Sequence, residues 1–167
     1  MKKVDIYIET SSTFQGATNR KCGYVLSTVI NNEEKTREGF GHFYGTYHQA
    51  ILITLAEALE RMALPSEICI HTRDMYVASR IPKLEEMAGS GWKDSKGELI
   101  KNADEWKRVY TAIHVLPKTH KLSARSEKHS YSGWLQEELE KRECERAIGT
   151  QMEPVARTGP HEQWNGV

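Results

Sequence analysis

The stretch 91-GWKDSKGELIKNADEWKRV-109 carries the most specific pattern in the chain, and its two halves differ in character. The first half is rich in Gly, Ser and Lys, which favours a loop. The second half opens a segment, 103–113, in which Trp106 stands at helical spacing from Val109 and Tyr110. Such spacing is more typical of core residues than of an exposed aromatic surface. The stretch therefore predicts a polar loop followed by a helix that packs against a core.

Upstream of this stretch, three runs of residues have the pattern of β-strands. Val4, Ile6 and Ile8 alternate with more polar residues, which is the period of a strand with one buried face. A second run covers 23–30, and after a polar turn a third covers 36–44, which is consistent with an antiparallel meander. Three strands therefore precede the first predicted helix.

A helix with an apolar face follows these strands. Leu52, Leu55 and Leu59 recur at three- and four-residue steps until Pro65 ends the pattern. The remaining elements are a strand at 67–72, a short helix at 75–80 capped by Asp74, the helix at 103–113, a possible strand at 121–127 and a last helix around Trp134, Leu135 and Leu139. This order predicts a mixed α/β fold.

Composition and length set limits on domain organisation. A chain of 167 residues with 38% hydrophobic content can bury one core, and we predict one domain over residues 1–148. Residues 149–167 are Pro, Gly and polar residues without periodicity, so we predict a flexible tail. No apolar segment is long enough for a membrane span, so we expect a soluble protein without a membrane partner.

Charge and cysteine content narrow the class further. The formal net charge is zero, so binding of a nucleic acid would need a local basic patch. The cysteines Cys22, Cys69 and Cys144 are widely spaced and form no CxxC pair. This pattern is typical of reduced thiols rather than of a disulfide framework or a zinc site, and it predicts a cytoplasmic protein.

Four segments resemble ribonuclease H of the bacterial and eukaryotic type 1 family, and the resemblance spans roughly residues 3 to 145. They are 7-YIETSS-12, 46-TYHQAILITLAEALERM-62, 71-HTRDMYV-77 and the opening stretch, whose Gly-Trp-Lys and Lys-Asn-x-Asp-x-Trp are the most similar to the family. The resemblance implies a ribonuclease H-like fold. In that fold, a five-stranded mixed sheet of three antiparallel strands and two parallel additions is flanked by helices.

The resemblance also implies a chemistry. Active members of the family cut the RNA strand of an RNA/DNA hybrid with two metal ions held by four carboxylates. Mg²⁺ is a hard cation that takes oxygen ligands, and two ions about 4 Å apart can stabilise both the attacking and the leaving oxygen. The four carboxylates are therefore the residues to follow in this chain.

Carried over one by one, the four acidic positions are only partly acidic in this chain. The first falls on Glu9, the second on Ile51, which cannot bind a metal, and the third on Arg73. The fourth falls on Glu137 if Glu137-Glu138-Leu139 corresponds to the family's Asp-x-Leu. The family's His-containing loop corresponds to Lys128-His129-Ser130.

The assignment of the third position to Arg73 rests on strand parity. In a regular strand Cys69, His71 and Arg73 share one face, so Asp74 would lie on the other side and cap the next helix. The guanidinium would then lie near Glu9 as an ion pair in place of a metal. A bulge at the end of the strand would instead return Asp74 to the catalytic position.

Several polar residues correspond to the family's nucleic-acid contacts or add local positive charge. Alternatives remain for some of them: Trp106 in the core, Asn102 as an exposed cap, and the lysines as a solvated edge. The predicted nucleic-acid-binding residues are Ser11, Thr46, Gln49, Lys101, Asn102, Lys121 and Lys128.

Two functional hypotheses follow. The first is a ribonuclease H-like domain that has lost metal-dependent cleavage, holds no cofactor, and binds nucleic acid, such as an RNA/DNA hybrid or structured RNA, or a protein partner. The second is a nuclease that cuts RNA/DNA hybrids with the reduced set Glu9, Asp74 and Glu137 and needs Mg²⁺ or Mn²⁺.

Overall fold

A computed structural model of the chain describes residues 1–114, 120–143 and 146–148. These ranges contain five strands and five α-helices in the predicted order, with one short helix at Leu84–Gly89 that the sequence pattern did not predict. They are β1 (Lys2–Thr10), β2 (Thr18–Ile30), β3 (Glu33–Gly45), α1 (Tyr47–Glu60), β4 (Ser66–Thr72), α2 (Met75–Arg80), α3 (Leu84–Gly89), α4 (Ala103–His114), β5 (Lys121–Ser126) and α5 (Ser132–Lys141), with a 3₁₀ turn at Ile81–Lys83. The tail predicted at 149–167 lies outside the described residues.

The strands form one mixed sheet in the order β3-β2-β1-β4-β5. β1, β2 and β3 pair antiparallel, and β4 and β5 add in parallel to β1 and to β4. The predicted sheet of three antiparallel strands and two parallel additions is confirmed. Because β1 and β4 are parallel neighbours, their carboxyl ends lie at the same end of the sheet. Glu9, near the end of β1, and Arg73, directly after β4, are therefore neighbours in space.

One face of the sheet forms the main core. Val4, Ile6 and Ile8 of β1 are at most 1% exposed and share this core with Ile68 and Ile70 of β4. The same core contains residues of α1 and α4, so these two helices cover that face. Because side chains alternate along a strand, the residues between them point to the opposite face, which α5 partly covers.

The helix predicted from the opening stretch belongs to this core. Trp106 of α4 is 0% exposed, which confirms the core interpretation of this residue. Asn102 lies directly before α4 with a φ of 61°, and its carbonyl accepts the Trp106 amide at 3.0 Å. Asparagine tolerates this left-handed conformation better than most residues, so it suits a helix start that follows a sharp turn. None of the helices in the described ranges is long and apolar enough to cross a membrane.

A buried histidine ties β5 to β4 at the edge opposite Glu9. His120 is 4% exposed, and its Nδ1 accepts the amide of Ser66 at 2.9 Å. Burial lowers the pKa of His120 below its ordinary value of 6.5, because the charged imidazolium is poorly solvated there. A protonated ring could no longer accept the Ser66 amide through Nδ1, so the fold favours the neutral form.

This histidine predicts a pH-dependent contribution to stability. As the pH falls below about 6.5, the unfolded chain takes up a proton at His120 that the folded chain resists, so stability is lost. We expect the difference in free energy of unfolding between the unmodified chain and His120→Asn to shrink from about pH 7 to about pH 5. Urea titrations across this range measure it, and a difference that stays constant would contradict the prediction.

Candidate functional site

The carboxylate of Glu9 is surrounded by donors at the end of β1. Glu9 is 2% exposed, and its Oε1 receives Arg73 Nη2 at 2.8 Å and Nε at 3.1 Å. Gln136 Nε2 donates to the same oxygen at 2.9 Å. On the other oxygen, Ser132 Oγ donates at 3.0 Å, and His129 Nε2 lies at 3.1 Å. These five residues are called the Glu9 cluster below.

Strand parity and helix periodicity bring this cluster together. β4 is regular through Thr72, so Arg73 follows on the face of Cys69 and His71, which is the face of Glu9. Ser132 and Gln136 are four residues apart on α5 and therefore share one side of that helix. The predicted ion pair between Arg73 and Glu9 is thus present.

The surroundings of Glu9 favour its charged form. Burial acts to raise the pKa of the carboxyl group, but it is outweighed by the contacts with His129 and Gln136, the charge of Arg73 and the hydroxyl of Ser132. Together they hold the pKa of Glu9 below its ordinary value of 4.5. A buried carboxylate with both oxygens contacted is a satisfied charge rather than a free ligand.

Asp74 lies on the other side of the sheet from this cluster. It is 2% exposed and caps α2, since its Oδ1 accepts the Val77 amide at 3.2 Å. Its Oδ2 is 2.6 Å from His48 Nδ1, and the His48 ring packs against Tyr76 with centroids 4.3 Å apart. The described end of β4 therefore has no bulge that would turn Asp74 toward Glu9, and Asp74 caps α2 as predicted.

Ile51 stands at the helix position that the resemblance gives as the family's second acid. It is 1% exposed, packs in the main core and offers no ligand atom. Tyr47 lies one turn earlier on α1, and burial, together with the charges of Asp74 and Glu9, raises its pKa to about 12. The two acids are therefore close enough to Tyr47 to keep its phenol neutral.

The structure does not bring Glu137 to this site. Glu137 is exposed, whereas Ser132 and Gln136 reach Glu9 and Leu135 and Leu139 are buried. Successive helix residues point about 100° apart, so the neighbour of Gln136 turns away from the cluster. The residue of α5 that contacts Glu9 is Gln136, and the correspondence of Glu137 to the family's Asp-x-Leu stays a prediction. The four-residue spacing of Ser132 and Gln136, in phase with the two leucines, was the signal that could have identified them.

Three of the predicted nucleic-acid contacts form hydrogen bonds within the protein. Thr46 and Gln49 form a capping box at the start of α1, in which the Thr46 hydroxyl accepts the Gln49 amide and the Gln49 side chain accepts the Thr46 amide. Gln49 Nε2 also donates to Glu105 at 3.0 Å. Ser11 is exposed, but its Oγ accepts the Lys21 amide at 2.8 Å. All three side chains therefore stabilise local structure through hydrogen bonds within the protein.

The predicted lysines are all exposed but lie at different ends of the sheet. Lys101 lies beside Tyr76, since its carbonyl accepts the Tyr76 hydroxyl at 3.3 Å, and the side chain of Asn102 contacts the same hydroxyl at 3.4 Å. Lys128 follows the carboxyl end of β5, on the side of the Glu9 cluster. Lys121 pairs with Glu67 at the start of β4, about 20 Å from that end at 3.3 Å per residue. The structure therefore does not bring Lys121 to the site.

Removal of the Glu9 charge tests the electrostatics of the cluster. We expect Glu9→Gln to lower the free energy of unfolding at neutral pH by about 2 kcal/mol, because hydrogen bonds to a charged acceptor are weakened. The folded pKa of Glu9 is lowered, so this stabilisation is present above about pH 4.5 and is lost as the pH falls through the folded value. Urea unfolding at several pH values measures the difference. Glu137→Gln is the control and should stay within about 0.5 kcal/mol.

The residues of the site do not fit a magnesium ion. Mg²⁺ demands near-octahedral oxygen ligation, usually from carboxylates and water. Both oxygens of Glu9 are already contacted, and Arg73 holds a positive charge 2.8 Å from one of them. Ile51 offers no ligand atom, and Asp74 faces His48 on the other side. Among the described residues, Glu9 and Arg73 therefore form an ion pair whose surroundings do not fit the coordination of Mg²⁺.

Comparison with known proteins places this fold and site in context. No protein-family model matches the chain. The chain is 31% identical over 115 residues to ribonuclease HI of Xylella fastidiosa strain 9a5c, covering 67% of this chain and 73% of that protein.

Two solved structures share the fold. LC9-RNase H1, a type 1 RNase H with the type 2 active-site motif, has a TM-score of 0.64 and 16% identity, covering 84% of this chain and 70% of that one. The foamy viral protease-reverse transcriptase in complex with RNA/DNA hybrid has a TM-score of 0.60 and 15% identity, covering 83% of this chain and 19% of that one. These two structures share the fold, and the sequence identity to ribonuclease HI shows that the chain belongs to the type 1 ribonuclease H family.

Proposed function

We propose that this ribonuclease H-like domain binds nucleic acid, an RNA/DNA hybrid being the first candidate, without metal-dependent cleavage. The observation that carries the proposal is the Glu9 cluster, in which Arg73 stands 2.8 Å from the acid that a metal would need. A guanidinium neutralises the carboxylate permanently and repels a divalent cation. The negative charge of Glu9 is thus already paired with Arg73, and the carboxylate does not serve as the metal ligand that hydrolysis requires.

The presence of Arg73 at the family's third acidic position also supports binding of nucleic acid. The side chain of Arg73 is 38% exposed, so its guanidinium is accessible to a phosphate group at the position where a metal would otherwise meet one. Lys128, next to His129 of the cluster, and Lys101, whose carbonyl contacts Tyr76 just after β4, add exposed positive charge. The net charge of the chain is zero, so these side chains supply the local patch that binding to a polyanion requires. The complex of the foamy viral enzyme with an RNA/DNA hybrid supports the choice of ligand.

Binding is tested by fluorescence anisotropy with a labelled RNA/DNA hybrid, double-stranded RNA and single strands at low and physiological salt. We expect affinity to fall as salt rises and to fall at least several-fold in Lys101→Ala/Lys128→Ala. The matched control is Lys3→Ala/Lys121→Ala, which removes the same charge from the opposite end of β1 and β5. No binding at low salt would overturn the proposal and favour a protein-interaction domain.

Cleavage is tested separately with the same hybrid in Mg²⁺ or Mn²⁺. We expect the hybrid to remain intact. Cleavage that disappears in Glu9→Gln would show that the chain is a working nuclease and would overturn the proposal that it lacks cleavage activity. Glu137→Gln is the informative companion, because Glu137 belongs to the reduced carboxylate set predicted from the sequence but is exposed outside the cluster.

A further inference from the structure

Three side chains of different chemistry converge on the sheet face that α5 leaves open. Asp5 lies on β1, and Cys69 and His71 lie on β4. One ligand atom of each, a carboxylate oxygen, a thiol sulfur and an imidazole nitrogen, lies within 4.8 Å of the other two. Asp5 is the register partner of Cys69, and His71 Nε2 is 2.7 Å from Asp5 Oδ1. None of the three belongs to the Glu9 cluster.

This combination of atoms suits a borderline divalent cation. Zinc is bound in proteins by thiolate, imidazole and carboxylate at about 2.0 to 2.3 Å, which separates tetrahedral ligand atoms by about 3.3 to 3.8 Å. The separations here, up to 4.8 Å, need adjustments of about 1 Å or less. A thiolate also discriminates against Mg²⁺ and Ca²⁺, which prefer oxygen.

The three groups are held by rigid structure rather than by a loop. β1 and β4 are hydrogen-bonded neighbours in the middle of the sheet. The His71 ring stacks on Tyr7 with centroids 4.4 Å apart and an interplanar angle of 18°. This contact leaves Nε2 directed at Asp5. Little side-chain freedom is therefore lost when an ion binds, which favours binding.

The site is also accessible. The side chain of Asp5 is 42% exposed and that of His71 13% exposed, while Cys69 is a free, half-buried thiol. An ion can therefore enter from solvent beside Asp5. Binding would release the thiol proton of Cys69, and His71 would carry its single ring proton on Nδ1 so that Nε2 can bind the ion. Arg125 is the cross-strand partner of His71 on β5, and its positive charge weakens the affinity without removing any ligand.

We propose that Asp5, Cys69 and His71 bind a zinc ion, with a water molecule in the fourth position. The ion would bridge β1 and β4 through their side chains, next to the Glu9 cluster. His129 connects the two regions, because its ring lies 5.1 Å from Tyr7 and its Nε2 contacts Glu9. The proposal does not depend on nucleic-acid binding, and neither outcome of the binding assay affects it.

Cobalt substitution tests the site in the full chain under a non-thiol reductant. A thiolate bound to Co²⁺ gives a near-ultraviolet charge-transfer band, and tetrahedral geometry gives intense visible bands. We expect both bands with one equivalent of Co²⁺, and we expect Zn²⁺ to abolish them. Cys22→Ala/Cys144→Ala leaves Cys69 as the single cysteine and should retain the spectrum, whereas Cys69→Ser should lose the charge-transfer band.

Two further measurements distinguish the loss of a metal ligand from a general loss of folding in these variants. Urea unfolding without metal should give similar stabilities for the unmodified chain and Cys69→Ser, and Zn²⁺ should stabilise only the former. His71→Asn should weaken Co²⁺ binding at least tenfold while retaining a folded circular dichroism spectrum. Absence of a charge-transfer band at excess Co²⁺, or a band that persists in Cys69→Ser, would overturn the proposal.

Discussion

The double variant Ile51→Glu/Arg73→Asp is expected to gain a Mn²⁺-binding site that the unmodified chain does not have. The first change restores an acid at the helix position that the resemblance to type 1 ribonuclease H gives as the family's second carboxylate. The second removes the guanidinium that lies 2.8 Å from Glu9 and substitutes a metal ligand. With Glu9, three of the four positions that hold metal ions in the family would then carry carboxylates, which are the ligands that a hard divalent cation prefers.

Without metal, this variant should be much less stable than the unmodified chain. Ile51 is 1% exposed and Glu9 2% exposed, so the added acids lie close to a buried charge that has lost its partner. Breaking a buried ion pair costs about 3 to 5 kcal/mol. Metal at 100 times its dissociation constant should restore about 2.7 kcal/mol of this loss. Mn²⁺ should therefore stabilise the double variant.

Urea unfolding with and without Mn²⁺, together with calorimetric titration, measures this gain. Ile51→Gln/Arg73→Asn keeps side-chain size without adding charge and should show no gain in stabilisation by Mn²⁺ over the unmodified chain. Glu9→Gln in the double variant should weaken the response, because one of the three acids is lost. If Mn²⁺ stabilises the unmodified chain as much as the double variant, the ion pair does not exclude metal and the prediction fails.

The position of Arg73 could be predicted from the sequence because it depends on local geometry. Side chains alternate along a strand, β4 remains regular to Thr72, and the next residue keeps the face of Cys69 and His71. The role of Asp74 as a cap follows from the same parity and from the short helix behind it. The strand order also agreed with the resemblance, since the four segments lie on β1, α1, β4 and the start of α4.

The remaining parts of the site depend on contacts that no local pattern encodes. The pairing of Asp74 with His48 joins residues 26 positions apart and has no periodic signal. Which residue of α5 contacts Glu9 depends on the exact phase of the helix, since a shift of one residue rotates a side chain by about 100° and separates exposed Glu137 from Gln136. Lys121 and Lys128 are both predicted to bind nucleic acid, yet Lys121 begins β5 and Lys128 follows its carboxyl end. Strand rise alone could have predicted that separation.

A second large effect is expected at Arg20, which holds the loop that follows Glu9. Arg20 is 3% exposed, and its guanidinium donates to four main-chain carbonyls. Nη1 reaches Ser12 at 2.7 Å, and Nη2 reaches Phe14 at 3.0 Å, Gly16 at 2.8 Å and Gly45 at 3.0 Å. One side chain on β2 thereby joins the β1–β2 loop to the end of β3.

We expect Arg20→Ala to lower the free energy of unfolding by about 3 to 4 kcal/mol, because hydrogen bonds that involve a charged group contribute about 1.5 to 3 kcal/mol each and do not add fully. Arg20→Lys should recover only part of this loss, since an ammonium group lacks the planar fork that spans several carbonyls. Urea unfolding measures the stability, and amide exchange of residues 11–17 measures the loop.

The matched control for Arg20 is Arg125→Ala, which deletes the same side chain from an exposed position on β5. This control should change stability by about 0.5 kcal/mol or less. If Arg20→Ala costs no more than the control, the four carbonyls are equally well solvated by water and the guanidinium does not organise the loop. If stability falls but exchange of residues 11–17 is unchanged, Arg20 acts through the β2–β3 pairing at Gly45 rather than through the loop beside Glu9.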